Sequence, residues 1–247
     1  MERRAFSMFQ PLHLLVLLIT ALLTAAVYKG ASTFPYDTVV RALKCCAVLM
    51  LFFDPVYWLW ELRQFGALDF ATTLPLYLCS LFWLLLPPAM FARHEAFRQT
   101  AAAAVCTLGL MCGVFGLVFN VYLDRYPFFS FIPVRSLLYH IMMILVPTAM
   151  WSSGYYRPQR RDWLLCFAPV AVLVSVCLLL NRIFGWDYCY TAGGIGTPLA
   201  RVSARMPTLL FLLVLYGGLL LIVQFLFYRR FSRISLFFTR VIQRIKR

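Results

Sequence analysis

Apolar segments of roughly 20 residues recur from one end of this chain to the other, broken by short polar stretches, and about 20 apolar residues in α-helix cross the hydrocarbon core of a bilayer. A window of about 19 residues places seven such spans, at Gln10–Tyr28, Leu43–Trp60, Phe70–Phe91, Gln99–Leu123, Phe131–Trp151, Trp163–Phe184 and Pro207–Tyr228. The expected fold is all-α, a polytopic transmembrane bundle of seven spans over residues 1–228, followed by a tail over 229–247. In the tail, Phe231, Ile234, Phe237, Phe238, Val241, Ile242 and Ile245 share one helical face, and Arg229, Arg233, Arg240, Arg244 and Arg247 lie opposite. That period predicts a basic amphipathic helix lying on an anionic membrane surface. The first span has some outline of a signal peptide, with Arg3 and Arg4 before it and Ala25-Ala26 near its end. Its apolar run from Leu14 to Val27 is long for such a core, and a retained span is the reading adopted.

Composition agrees. Of 247 residues 63% are hydrophobic and 13% charged, against about 25% charged in a soluble domain; this argues against a soluble fold, and no stretch is long enough for a separate soluble domain. The excess of 23 Lys and Arg over 9 Asp and Glu sits in short loops and the tail, so anionic lipid headgroups, and not nucleic acid, are the expected partner. On alternate sides of the seven spans the basic residues divide fifteen to eight. The richer side carries Lys29, Arg41, Lys44, Arg93, Arg98, Arg157, Arg160, Arg161 and the tail, which predicts a cytoplasmic C-terminus and an outside N-terminus, in the plasma membrane. Arg3 and Arg4 run against that orientation. The eight cysteines lie mostly inside apolar runs and read as small packing residues. No C-x-x-C pair occurs and His94-Glu95 lacks the second His of a zinc-protease helix; no metal or cofactor is called for.

Polar groups in hydrocarbon are costly and therefore mark function. The candidates are His13, Asp54, Cys79, Asn120, His140, Asn181 and Gln224. Counted along the expected helices, Cys79 and His140 fall at equal depth, nine residues from the outer ends of spans three and five, and a thiol beside an imidazole can serve as a nucleophile. Asp54, followed by Pro55, needs a partner; His13, Arg135 and Asn181 share its outer half of the membrane, which suggests a polar vestibule or a structural pair such as Asp54 with His13. Pro75, Pro87, Pro88, Pro147 and Pro169 mark expected kinks or span ends. The loop Gly185 to Met206, with Gly193-Gly194-Ile195-Gly196, lacks a phosphate-loop pattern and reads as a lid or linker.

Several of these residues stand in short motifs: Phe9-Gln10-Pro11-Leu12-His13, Leu74-Pro75-Leu76-Tyr77-Leu78-Cys79, His140, and Asn181 with Gly185 and Tyr188. Here the chain resembles the YwaF-type family of small integral membrane proteins, over nearly its whole length. Tyr77 stands where that pattern has His. A eukaryotic branch similar to this family is regarded as a phospholipid acyltransferase, and the resemblance implies Cys79 as acyl-accepting nucleophile and His140 as base. Substrate contacts would come from His13, Asp54, Tyr77, Asn120, Arg135 and Asn181. Two other readings stay open: a small-solute or proton binding or transport protein built on Asp54, His13, Asn120 and Asn181, against which no inverted repeat is found, and a non-catalytic membrane scaffold.

Overall fold

The computed structural model describes residues 9–159, 162–194 and 199–230, and these are helical with turns and no strand. The amphipathic tail lies, from residue 231 on, outside the described residues. Five helices are long and apolar enough to cross a membrane: Pro11–Thr33, Glu95–Asp124, Phe131–Ser152, Asp162–Phe184 and Thr208–Tyr228. Each coincides with an expected span. The chain divides into two compact units, one of Met1–Ala67 with Cys79–Arg157, the other of Leu68–Leu78 with Pro158–Arg247.

In the first unit, α1 (Pro11–Thr33) opens with Pro at its first helical position, where a missing N–H costs nothing. Its buried residues are His13 and Thr20, while Leu14, Leu15, Leu18 and Leu22 are exposed. Apolar outside and polar inside inverts a soluble helix and is what lipid requires. Next, α2 (Tyr36–Leu51) and α3 (Phe53–Phe65) meet at Phe52. Pro55 has no N–H for the Leu51 carbonyl, and Phe52 closes a tighter turn onto Leu49 at 3.1 Å. Gly66, at φ 74°, ends α3 in the left-handed conformation that glycine adopts without cost.

Then come α4 (Ser80–Phe91), α5 (Glu95–Ala104), a π-turn over Val105–Gly109, α6 (Leu110–Val118) and α7 (Phe131–Ser152). α7 packs against α1, α2 and α6, and α4 against α2 and α5. Ala101 to Gly109 is wholly buried, since small residues let helix backbones approach where lipid supplies no hydrophobic drive.

The helix expected over Phe70–Phe91 begins only at Ser80. Residues 68–78 form turns that belong to the second unit. Asp69 starts them: its carboxylate accepts from Ala71 N at 3.1 Å and Thr72 Oγ1 at 2.8 Å. Pro75 then offers no N–H for a helical ladder. Side chains distant in sequence satisfy this backbone instead. The Tyr188 hydroxyl donates to the Phe70 carbonyl and accepts from Leu74 N, both at 2.8 Å, and the thiols of Cys177 and Cys189 donate to the Leu76 carbonyl. Non-helical backbone is tolerated at membrane depth where protein pairs it in this way. The second unit also holds α8 (Asp162–Phe184), α9 (Leu199–Ser203), α10 (Thr208–Leu212) and α11 (Gly218–Val223). Between α8 and α9, Tyr188 is fully buried, so the front of the Gly185 to Met206 loop is a packed element and not a linker.

Candidate functional site

Cys79 immediately precedes α4, as its N-cap residue. Because residues 70–79 are not helical, counting nine residues from a span end does not measure its depth. Direct contacts locate it instead. Its carbonyl accepts from the Tyr139 hydroxyl at 3.3 Å, which puts Cys79 beside the residue preceding His140.

The His140 ring is placed by the seam between α6 and α7. Gly113 and Gly116 on α6 face α7: a Cβ at Gly113 would stand 2.7 Å from Met143 Cβ, and one at Gly116 would overlap the His140 imidazole, 2.8 Å from Cε1 and closer still to Nε2 and Cδ2. Only glycine lets the ring lie there. On its other side Nδ1 is 2.8 Å from the Ser136 carbonyl, one turn earlier on α7. A carbonyl only accepts, so Nδ1 carries the proton and Nε2 presents its lone pair toward Gly116.

Asp54 and Arg135 form a salt bridge between α3 and α7, with side chains 9% and 22% exposed. Its partner is Arg135, and the expected alternative of Asp54 with His13 is overturned. Arg135 also lies over the Tyr57 ring, 4.4 Å from its centroid, and near Phe53 at 5.6 Å. Its Nε is buried with no hydrogen-bond partner among the described residues, so the guanidinium keeps one donor free.

The other sequence candidates have protein partners. His13 is 1% exposed; its Nδ1 accepts from Phe9 N at 3.1 Å and its Nε2 donates to the Leu117 carbonyl at 2.9 Å. Both ring nitrogens are thus used in fastening the start of α1 to the end of α6. Asn120, in extended backbone after α6, donates to Ser136 Oγ at 3.1 Å and accepts from Tyr122 N at 3.2 Å. Ser136 Oγ lies 3.4 Å from His140 Nδ1, so Asn120 supports the imidazole through the serine. In the second unit Asn181 holds Tyr188 by its backbone N and O, at 3.1 and 2.8 Å, and Tyr77 meets the Tyr188 ring with centroids 5.1 Å apart. The amide groups of both asparagines are engaged within the protein.

Ser136, Tyr139 and Gly116 are not among the residues the sequence singles out, whereas Tyr188 is. Ser136 and His140 at i, i+4 on one helix were open to inspection; Tyr139 and Gly116 carry no local signal. Among the described residues no cluster of His, Cys, Asp or Glu could hold a metal ion. Comparison with curated proteins and with solved structures finds no match. A family model does match, over residues 6–228, and it extends through both units and every candidate residue above. It is the model of a membrane protein family. By that match the chain belongs to the TMEM164 family.

Proposed function

We propose that this protein transfers acyl groups between lipids within the membrane, with Cys79 as nucleophile and His140 as base. The observation that carries the reading is the His140 ring, held as the Nδ1–H tautomer against a glycine with its Nε2 lone pair free, next in sequence to the Tyr139 whose hydroxyl bonds the Cys79 carbonyl. In the reaction Nε2 takes the thiol proton as Sγ attacks the ester carbonyl carbon. The tetrahedral intermediate collapses with loss of the C–O bond, and His140 returns the proton to the departing lipid oxygen. The hydroxyl of a second lipid then attacks the thioester, giving its proton to Nε2, and the released thiolate recovers it. Arg135, with its free Nε and one turn before Tyr139 on α7, is the group for a lipid phosphate. A solute path through His13, Asn120 and Asn181 has less support, since their polar groups already bond within the protein.

The seven-span count belongs to this proposal too. Besides the five long helices, Tyr36–Phe65 would cross once, and α4 with the paired irregular backbone of 68–79 would cross once, because 12 helical residues reach only about 18 Å. The tail would lie on the cytoplasmic face of the plasma membrane against anionic headgroups.

The test is protein acylation in vesicles of phosphatidylcholine carrying a radiolabelled acyl chain. Hydroxylamine-labile label is expected on the wild type, absent in Cys79→Ala, and slowed at least 100-fold in His140→Gln. Full labelling of Cys79→Ala would remove the nucleophile and with it the proposal.

A further inference from the structure

Two thiols in the second unit converge on one atom. Cys177 Sγ donates to the Leu76 carbonyl at 3.3 Å and Cys189 Sγ to the same oxygen at 3.1 Å. Both side chains are buried, at 0% and 1% exposure. The approach is built by the surrounding structure. Asn181, one turn after Cys177 on α8, grips Tyr188 by both its backbone polar groups and so fixes the start of the loop over Cys177. Cys189 and Tyr190 then adopt left-handed backbone, φ 52° and 57°, which non-glycine residues enter only at a cost. The Tyr216 hydroxyl holds the Cys189 carbonyl at 2.5 Å. Packing alone needs neither the strained backbone nor a shared acceptor.

We infer that Cys177 and Cys189 are a redox-active dithiol that closes to a reversible disulfide by exchange with a small disulfide. One thiolate attacks the oxidant's S–S bond, forming a mixed disulfide and expelling one thiolate. The second cysteine, deprotonated, attacks the bound sulfur of its partner; the Cys177–Cys189 bond forms and the oxidant's second thiolate leaves. The protons of the two cysteine thiols end on the two thiols released. Closure removes both donors from the Leu76 carbonyl, so the 74–78 backbone loses hydrogen bonds that hold it, and that segment runs directly into Cys79. This inference stands apart from acyl transfer, and its test reads sulfur chemistry alone.

The full chain in phospholipid vesicles is equilibrated with 2-mercaptoethanol and 2-hydroxyethyl disulfide, an uncharged couple that enters membranes, over a range of ratios. It is then quenched in acid, denatured, alkylated, digested and analysed by mass spectrometry. The expected result is a Cys177–Cys189 cross-linked peptide that rises with the oxidised fraction and vanishes on return to reductant, while Cys106 and Cys166 remain alkylated. In Cys177→Ser, Cys189 should instead stop at the mixed disulfide. Recovery of both cysteines alkylated at the most oxidising ratio would overturn the inference in the wild type, whether or not the serine variant folds. Pairing of Cys189 with another cysteine in Cys177→Ser, at the wild-type yield, would overturn it as well.

Discussion

Replacing Gly116 by Ala adds one methyl group at the point where α6 meets the His140 ring. The added Cβ would stand 2.8 Å from Cε1, with Nε2 and Cδ2 closer, whereas carbon atoms rest at about 3.5–4.0 Å. The ring must therefore retreat by roughly 1 Å, or α6 must move off α7. Retreat strains the 2.8 Å bond from Nδ1 to the Ser136 carbonyl, a net loss of about 1 kcal/mol, on top of about 1–3 kcal/mol for overpacking a close seam. The expected destabilisation is about 2–4 kcal/mol, measurable by reversible unfolding in mixed micelles.

Stability alone does not identify the ring as the cause, and two other glycines separate the effects. Gly113→Ala should cost about as much, since its Cβ meets Met143 Cβ at 2.7 Å and backbone atoms beyond it, yet it leaves the imidazole in place. Gly217→Ala, with nothing within 4 Å, should be neutral or stabilising by up to about 1 kcal/mol from helix propensity. The discriminating readout is ¹⁵N NMR of labelled histidine in a chain with three. The wild-type spectrum should contain one Nε2–H ring from His13 and one Nδ1–H ring from His140, opposite tautomers set by their carbonyl partners. Gly116→Ala should move the His140 signals and Gly113→Ala should not. Unfolding of Gly116→Ala indistinguishable from Gly217→Ala, with an unmoved His140 spectrum, would refute the placement of the ring.

Asp54→Asn leaves the partly buried Arg135 guanidinium without its counter-charge and should destabilise by about 3–5 kcal/mol. The double variant with Arg135→Met should lose less than the sum of the two single changes, and strict additivity in the cycle would show that the two side chains do not interact. Tyr188→Phe deprives the Phe70 carbonyl of a donor and Leu74 N of an acceptor, at about 1–3 kcal/mol for each buried group left unpaired; amide exchange at Leu74 should accelerate, and an unchanged rate would count against the pairing. Burial holds the Tyr155 phenol above the ordinary value of 10.0, and its hydroxyl donates to the Ala89 carbonyl at 2.6 Å. The unfolded chain therefore ionises first as pH rises. This share of stability is complete below about pH 10 and is lost above it, so Tyr155→Phe should flatten the alkaline limb of the unfolding profile, and an unaltered limb would exclude the residue as its source.

What could be read in advance was whatever depends on runs of like residues. Five apolar helices follow from hydropathy because lipid asks only for length and for paired backbone, and both are local properties. The segment from Leu68 to Cys79 is as apolar as a span, and its departure from helix was hidden for the same reason: the groups that pair its backbone sit at Cys177, Tyr188 and Cys189, more than a hundred residues later in some bonds. Asp69, Thr72, Thr73 and Pro75 announce a turn, but within an apolar stretch they read equally as tolerated polar residues in a helix. The site divides in the same way. Asp54 advertised a need for a partner because a lone carboxylate in hydrocarbon is untenable, and Arg135 was on the candidate list without being matched to it. Gly116, by contrast, makes its contribution by lacking a side chain, and its meaning depends on which residue of α7 lies opposite, which no spacing within α6 reveals. Equal depth for Cys79 and His140 was inferred from a helix that is not there, and Cys79 is placed instead by the Tyr139 hydroxyl on its carbonyl. The proposed acyl transfer therefore turns on where α6 meets α7, and a single methyl group at Gly116 is the smallest change that tests it.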